Sequence, residues 1–157
     1  MLVLLAGLGG ISFAKAPCAV AAAKNGKAEA AVYDNTQYRF QFWLPPEWAS
    51  CTAEEKTWDG DMLNKGAKAE SGPLIILRHP LWRDDFNENI PIMVFTKAQW
   101  KLIEDDAMTV SAAPFSPDRI GENKTYVFAL PPRWSNATDI PQDEIQKILE
   151  SNPLHAY

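Results

Sequence analysis

Two apolar runs, 74–77 and 90–95, stand out from the rest of the chain, with a polar connection between them. Both are rich in Ile and are bounded by proline. Uninterrupted apolar runs of this length predict strands buried on both faces, because a half-exposed strand would alternate with polar residues. Such alternation occurs earlier, where Tyr38, Phe40, Phe42 and Leu44 interleave with Arg39, Gln41 and Trp43. This predicts a strand with an aromatic buried face and puts Trp43 on its polar side. Pro45 and Pro46 stop the strand, and Pro46 can open a short helix through Ala49. Residues 52–71 are polar and punctuated by Gly60 and Gly66, with Gly72 just beyond. They read mostly as loop, with a short strand near 56–58.

Beyond the second apolar run, Thr96-Lys97-Ala98-Gln99 has the form of a capping box and predicts a helix with Trp100 and Ile103 on one face. Glu104, Asp105 and Asp106 oppose the helix dipole at its C-terminal end and predict an early stop. Residues 108–113 suit a strand ended by Pro114, and 124–130 have strong β composition before Pro131 and Pro132. Ile145, Ile148 and Leu149 fall on one face of a last helix that starts near Pro141 and ends by Pro153. The predicted order is strand, short helix, loop, paired strands, helix, strands, helix, without a repeated βαβ rhythm. It implies an α+β domain with a largely antiparallel sheet, and the doubly apolar runs imply helices over both of its faces.

A chain of 157 residues with 46% hydrophobic and 22% charged residues suits one globular domain. The net charge of −5, spread along the chain, argues against a nucleic-acid partner. The N-terminus is different in kind. Residues 2–14 are apolar over the length of a secretory signal core and too short to span a bilayer. Ala19-Val20-Ala21 and Ala21-Ala22-Ala23 supply small-residue cleavage patterns, so residues 1–23 are expected to be a secretion signal, 24–31 a flexible linker and 32–157 the domain. Cleavage there would remove Cys18 and leave Cys51 alone, with no internal disulfide. Membrane anchoring would arise only if Cys18 were lipidated, and Lys15-Ala16-Pro17 is a poor context for that.

The opening Tyr33-Asp34-Asn35, then 38–45 and Trp48, resembles the leading strand of PsbP-like domains. The later stretches 78–82, 90–96, Gln99-Trp100 and 126–134 are similar to uncharacterised secreted or lipid-anchored bacterial proteins with the same opening. The resemblance covers about a tenth of the chain in its PsbP-like part. It implies a PsbP-like α/β/α sandwich and a secreted or periplasmic location, and it carries no catalytic residues.

The polar connection concentrates the candidate chemistry. His79, Asp84, Asp85 and Glu88 offer nitrogen and oxygen ligands, yet no HExxH, CxxC or EF-hand spacing supports a metal, and no cofactor motif is present. A hydrolase would need His79 with Asp84 or Asp85 and a distant serine such as Ser111, without a GxSxG elbow. Ion pairing on a solvated loop explains the same charges. Tryptophan is abundant, with six in the chain, and Trp82 and Trp134 adjoin arginines. Aromatics beside arginine suit a protein, peptide or glycan partner. The expected ligand surface therefore comprises Arg78, His79, Trp82, Arg83, Asp84, Asp85 and Trp134. The expected function is a non-catalytic extracytoplasmic binding protein, with a small hydrolase or metal-dependent enzyme built on His79 and Asp84 or Asp85 as the alternative.

Overall fold

The computed structural model describes residues 16–20, 30–64, 68–81, 89–111, 113–134 and 141–157. The short strands β1 (Ala16–Pro17) and β2 (Ala19–Val20) lead into the hairpin of β3 (Ala31–Asn35) and β4 (Phe40–Leu44). A single 3-10 turn, Pro46–Trp48, connects to a long hairpin of β5 (Thr52–Met62) and β6 (Glu70–Arg78). Then come β7 (Ile90–Thr96), α1 (Lys97–Glu104), β8 (Met108–Val110), β9 (Asp118–Glu122) and β10 (Tyr126–Leu130). The helix α2 (Gln142–Glu150) and β11 (Leu154–Ala156) complete the described chain.

These strands form two antiparallel sheets. The larger, seven-stranded sheet runs β1-β5-β6-β7-β10-β9, with β8 also on β5; the smaller, four-stranded sheet runs β11-β4-β3-β2. The small sheet lies against one face of the large one, so that Phe40, Phe42, Ile75, Leu77, Ile92, Val94 and Phe128 share a core. The helix α1 covers the opposite face, where Trp100 and Ile103 meet Trp58, Met93, Phe95, Val127 and Ala129. The other helix closes the side of the first core with Ile145 and Ile148. At Gly121 of β9 the backbone comes so close to Leu154 of β11 that an added Cβ would lie 2.6 Å from that side chain. The result is a mostly β, half-barrel arrangement.

This corrects the expected sheet with helices over both faces. The double-sided burial itself is present: 90–95 is buried throughout. One of the two covers, however, is a second sheet. The aromatic strand 38–44 does not lead the main sheet but pairs with β3 and forms that cover. An apolar strand face requires only an apolar lid, and side chains from a sheet serve as well as those from a helix.

The expected loop at 52–71 is also corrected, since most of it forms the β5–β6 hairpin. Its register runs without a shift from Thr52↔Arg78 to Gly60↔Glu70. Ala53 and Trp58 are therefore on opposite faces, since side chains alternate along a strand. Ala53 is buried under the small sheet and Trp58 under α1. The strand changes buried face partway along, which erases the period-two signal. Trp58 is fixed by donating from Nε1 to the Val94 carbonyl at 3.0 Å, and its ring passes over Gly72. A Cβ there would lie 2.6 Å from the indole, so only glycine fits beneath it.

The capping box is formed as the sequence predicts. Thr96 accepts from the Gln99 amide at 3.2 Å, while the Gln99 side chain accepts from the Thr96 amide at 3.0 Å. The acidic residues end α1 at Glu104, with Asp106 in the left-handed region at φ 52°.

The N-terminal strands bind the two sheets together. Ala16 and Pro17 pair with Ala53 and Thr52 of the large sheet, whereas Ala19 and Val20 pair with Val32 and Ala31 of the small one. Between them Cys18 donates its amide to the Cys51 carbonyl at 2.9 Å and forms a disulfide with Cys51, their Cα atoms 5.2 Å apart. Both cysteines are buried in the first core. The expected lone Cys51 is thus replaced by a bridge spanning 33 positions in sequence. Closing a loop of this size removes enough unfolded-chain entropy to stabilise the fold by roughly 3 to 4 kcal/mol. We expect Cys18→Ser with Cys51→Ser to lower the stability in guanidinium by that order, while the unmodified chain, denatured without reductant, titrates no free thiol. Equal stability of the two proteins together with two reactive thiols would show that the bridge does not form.

Candidate functional site

The expected surface divides into three parts. Trp82, Arg83, Asp84 and Asp85 lie outside the described residues, as does Glu88. Arg78 and His79 are in the interior, at 2% and 7% exposure. Arg78 ends β6 and crosses diagonally to β5, where its Nη2 and Nε donate to Glu54 Oε2 at 2.8 and 3.2 Å. This arginine serves the β5–β6 junction.

His79 is held as firmly. Its ring stands edge-on to Trp48, with centroids 4.9 Å apart and planes at 87°. Its amide donates to Asn89 Oδ1 at 2.8 Å, and its Nδ1 accepts from the Leu81 amide at 3.1 Å. Burial pushes its pKa below the ordinary histidine value, against the opposing pull of Glu144 and the Glu47 backbone. His79 thus ties the end of β6 to the 3-10 turn through its ring contact with Trp48, and to the start of β7 through its amide and Asn89.

Trp134 is elsewhere, on the far side of the Pro131-Pro132 break after β10. Here a groove of about 840 Å³ opens between β9, residues 131–134 and α2. The indole is half-buried and packs against the first core, so its position is fixed. Asp118 and Arg119 enter from β9, and Gln142, Gln146 and Glu150 from one face of α2; Asn152 closes one end. The Arg133 guanidinium sits over the Phe115 ring, 5.4 Å from its centroid. Arg119 pairs with Glu122 at 2.8 Å, and Gln146 donates to Glu150 Oε1 at 3.1 Å. Of the described residues expected to form a ligand surface, Trp134 alone lines this groove.

The amides on α2 carried no recognisable signal in the sequence. Gln142 and Gln146 are four positions apart and so share a helix face, a pattern common to any solvated helix. The position of β9 across the groove from α2 is what gives that face an opposite wall. A second, more apolar hollow lies across α2, lined by Trp43, Leu44, Pro45, Lys147, Ile148 and Ser151. Trp43 is 41% exposed, as its strand parity predicts.

Comparisons of the chain with protein-family models, curated proteins and solved structures find no match. Among the described residues, no group of three or more His, Cys, Asp and Glu side chains is placed to hold a metal ion.

The environment of His79 has a consequence for pH. Its pKa is lower in the folded chain than the 6.5 of a free side chain, so the unfolded chain takes up more protons as the pH falls below that value. The stability is complete above about pH 6.5 and is lost as the pH drops through the folded-state value. His79→Gln retains a hydrogen-bond acceptor but does not titrate. Urea unfolding at pH 7 and pH 5 should show a larger loss for the unmodified chain than for this variant; equal losses would mean that His79 is not held neutral by the fold.

Proposed function

We propose that the chain is an extracytoplasmic binding protein whose ligand enters the groove between β9, residues 131–134 and α2. The groove itself is the observation that carries this reading. Its volume is in the range of small-ligand sites, and a fixed aromatic lies among several side chains able to donate and accept hydrogen bonds. Its described lining includes no His or Cys, and the mixture suits recognition better than nucleophilic or metal-assisted chemistry. The enzyme alternative gains no support from His79, whose buried ring accepts from the Leu81 amide and stands edge-on to Trp48.

The compartment is supported by the apolar segment 2–14 and by the Cys18–Cys51 bridge, because buried disulfides persist where thiols are oxidised. The bridge changes the expected processing. Cleavage near Ala21–Ala23 would discard half of it together with the strands that join the sheets, so we place any cleavage before Ala16. One sulfur cannot carry both a lipid thioether and a disulfide, so Cys18 does not anchor this form. The PsbP-like opening also supports an extracytoplasmic setting, although the sandwich it implies is not the fold present.

Two measurements test these points. N-terminal sequencing of exported protein should give a start at or before Ala16; a start beyond Cys18 would overturn the processing assignment. In amide and indole NMR spectra titrated with short oligosaccharides and short peptides, shifts should concentrate on Trp134, Gln142, Gln146 and Asn152. Shifts confined to the Trp43 hollow, or none with any probe, would overturn the groove as the binding site.

A further inference from the structure

We infer that the groove takes an uncharged sugar chain; this rests on the groove being the binding site proposed above. Its wall charges balance, with Asp118 and Glu150 set against Arg119 and Arg133. Arg119 is already engaged by the Glu122 carboxylate, and Arg133 lies over the Phe115 ring. A phosphate or carboxylate ligand would therefore meet two acids on the wall and an arginine already paired with a carboxylate. The groove selects by hydrogen bonding and shape.

Its polar groups match hydroxyls. A carboxamide donates and accepts from adjacent atoms in one plane, and a carboxylate accepts at two oxygens, so both can engage neighbouring hydroxyls of a pyranose, each of which donates and accepts. Gln142, Gln146 and Asn152 provide the amides, and Asp118 and Glu150 the carboxylates. The contact of Gln146 with Glu150 restrains both side chains before a ligand arrives, which lowers the ordering cost of binding. The indole of Trp134, fixed against the core, offers an apolar plate to the C–H face of a sugar ring. Phe115, at 54% exposure beneath Arg133, extends the apolar area along the wall.

A peptide with apolar anchors would find only about half of this lining apolar. The hollow beside Trp43 on the other side of α2 suits such a segment better, being bordered by Leu44, Pro45 and Ile148. The Trp134 groove, at about 840 Å³ and open to solvent, has room for more than one linked sugar ring.

The test uses the oxidised full chain. Calorimetric titration with neutral oligosaccharides built on glucose, mannose, xylose and N-acetylglucosamine is run beside uronic-acid oligosaccharides, inorganic phosphate and short peptides. At least one neutral series should bind, with a change in tryptophan emission. Trp134→Ala should weaken that binding by roughly ten- to a hundredfold, the loss typical of a central aromatic contact. Because Trp134 touches the core, the exposed pair Gln142→Ala with Gln146→Ala is measured as well; it should weaken binding about tenfold while leaving the thermal midpoint unchanged. Binding of uronic-acid chains or phosphate alone overturns the neutral-sugar assignment. Peptides binding in the groove, where no neutral sugar does, overturn it too but leave the groove as the binding site. Failure of every probe to reach the groove overturns both.

Discussion

The three-strand ladder β6-β7-β10 is apolar on both faces, and the rest of the fold answers the need to cover it. Every residue from Ile90 to Phe95 is buried, with Ile90, Ile92 and Val94 on one side and Met93 and Phe95 on the other. Leaving either side wet would forfeit several side chains' worth of burial, at about 1.5 to 3 kcal/mol each. One side is covered by the aromatic hairpin β3–β4, the other by α1 with Trp58 and Met108. The long hairpin β5–β6 reaches beneath both covers, which is why its first strand changes buried face. The two cores are therefore linked through a single set of strands.

That arrangement also positions the groove. Once the small sheet occupies one face, α2 has no flat surface to cover and packs at its side, inserting Ile145 and Ile148. Its outer face is then turned toward β9 and the residues after β10. Trp134 is left where the core ends and solvent begins. The groove is a boundary between elements that were each placed by burial elsewhere.

The sequence revealed those parts of the fold governed by local rules. The apolar runs, the capping box at Thr96, the acidic stop at Glu104 and the exposure of Trp43 all follow from neighbouring residues. What covers a strand is not a local property, so the second sheet could not be distinguished from a layer of helices. The strand at 52–62 was hidden because its burial moves from Ala53 on one face to Trp58 on the other, and β11 because Leu154 is its lone buried residue. Arg78 and His79 were misplaced for a different reason. Charged and titratable residues next to a loop are usually solvated, but here Glu54 and the backbone around Trp48 receive them inside. Trp134 was legible as an aromatic beside arginine, whereas the amides opposite it became meaningful only through packing.

The Cys18–Cys51 bridge makes a covalent ring of the chain between its ends, and β2, β3 and β4 all lie within that ring. When the protein unfolds with the bridge intact, these strands stay close together, and the distant pairing of β1 with β5 becomes a short-range one. The β2-β3-β4 part of the small sheet can then re-form without a long chain search, leaving β11 to join it from a distant part of the chain. Oxidation thus acts on the order of assembly as well as on the final stability.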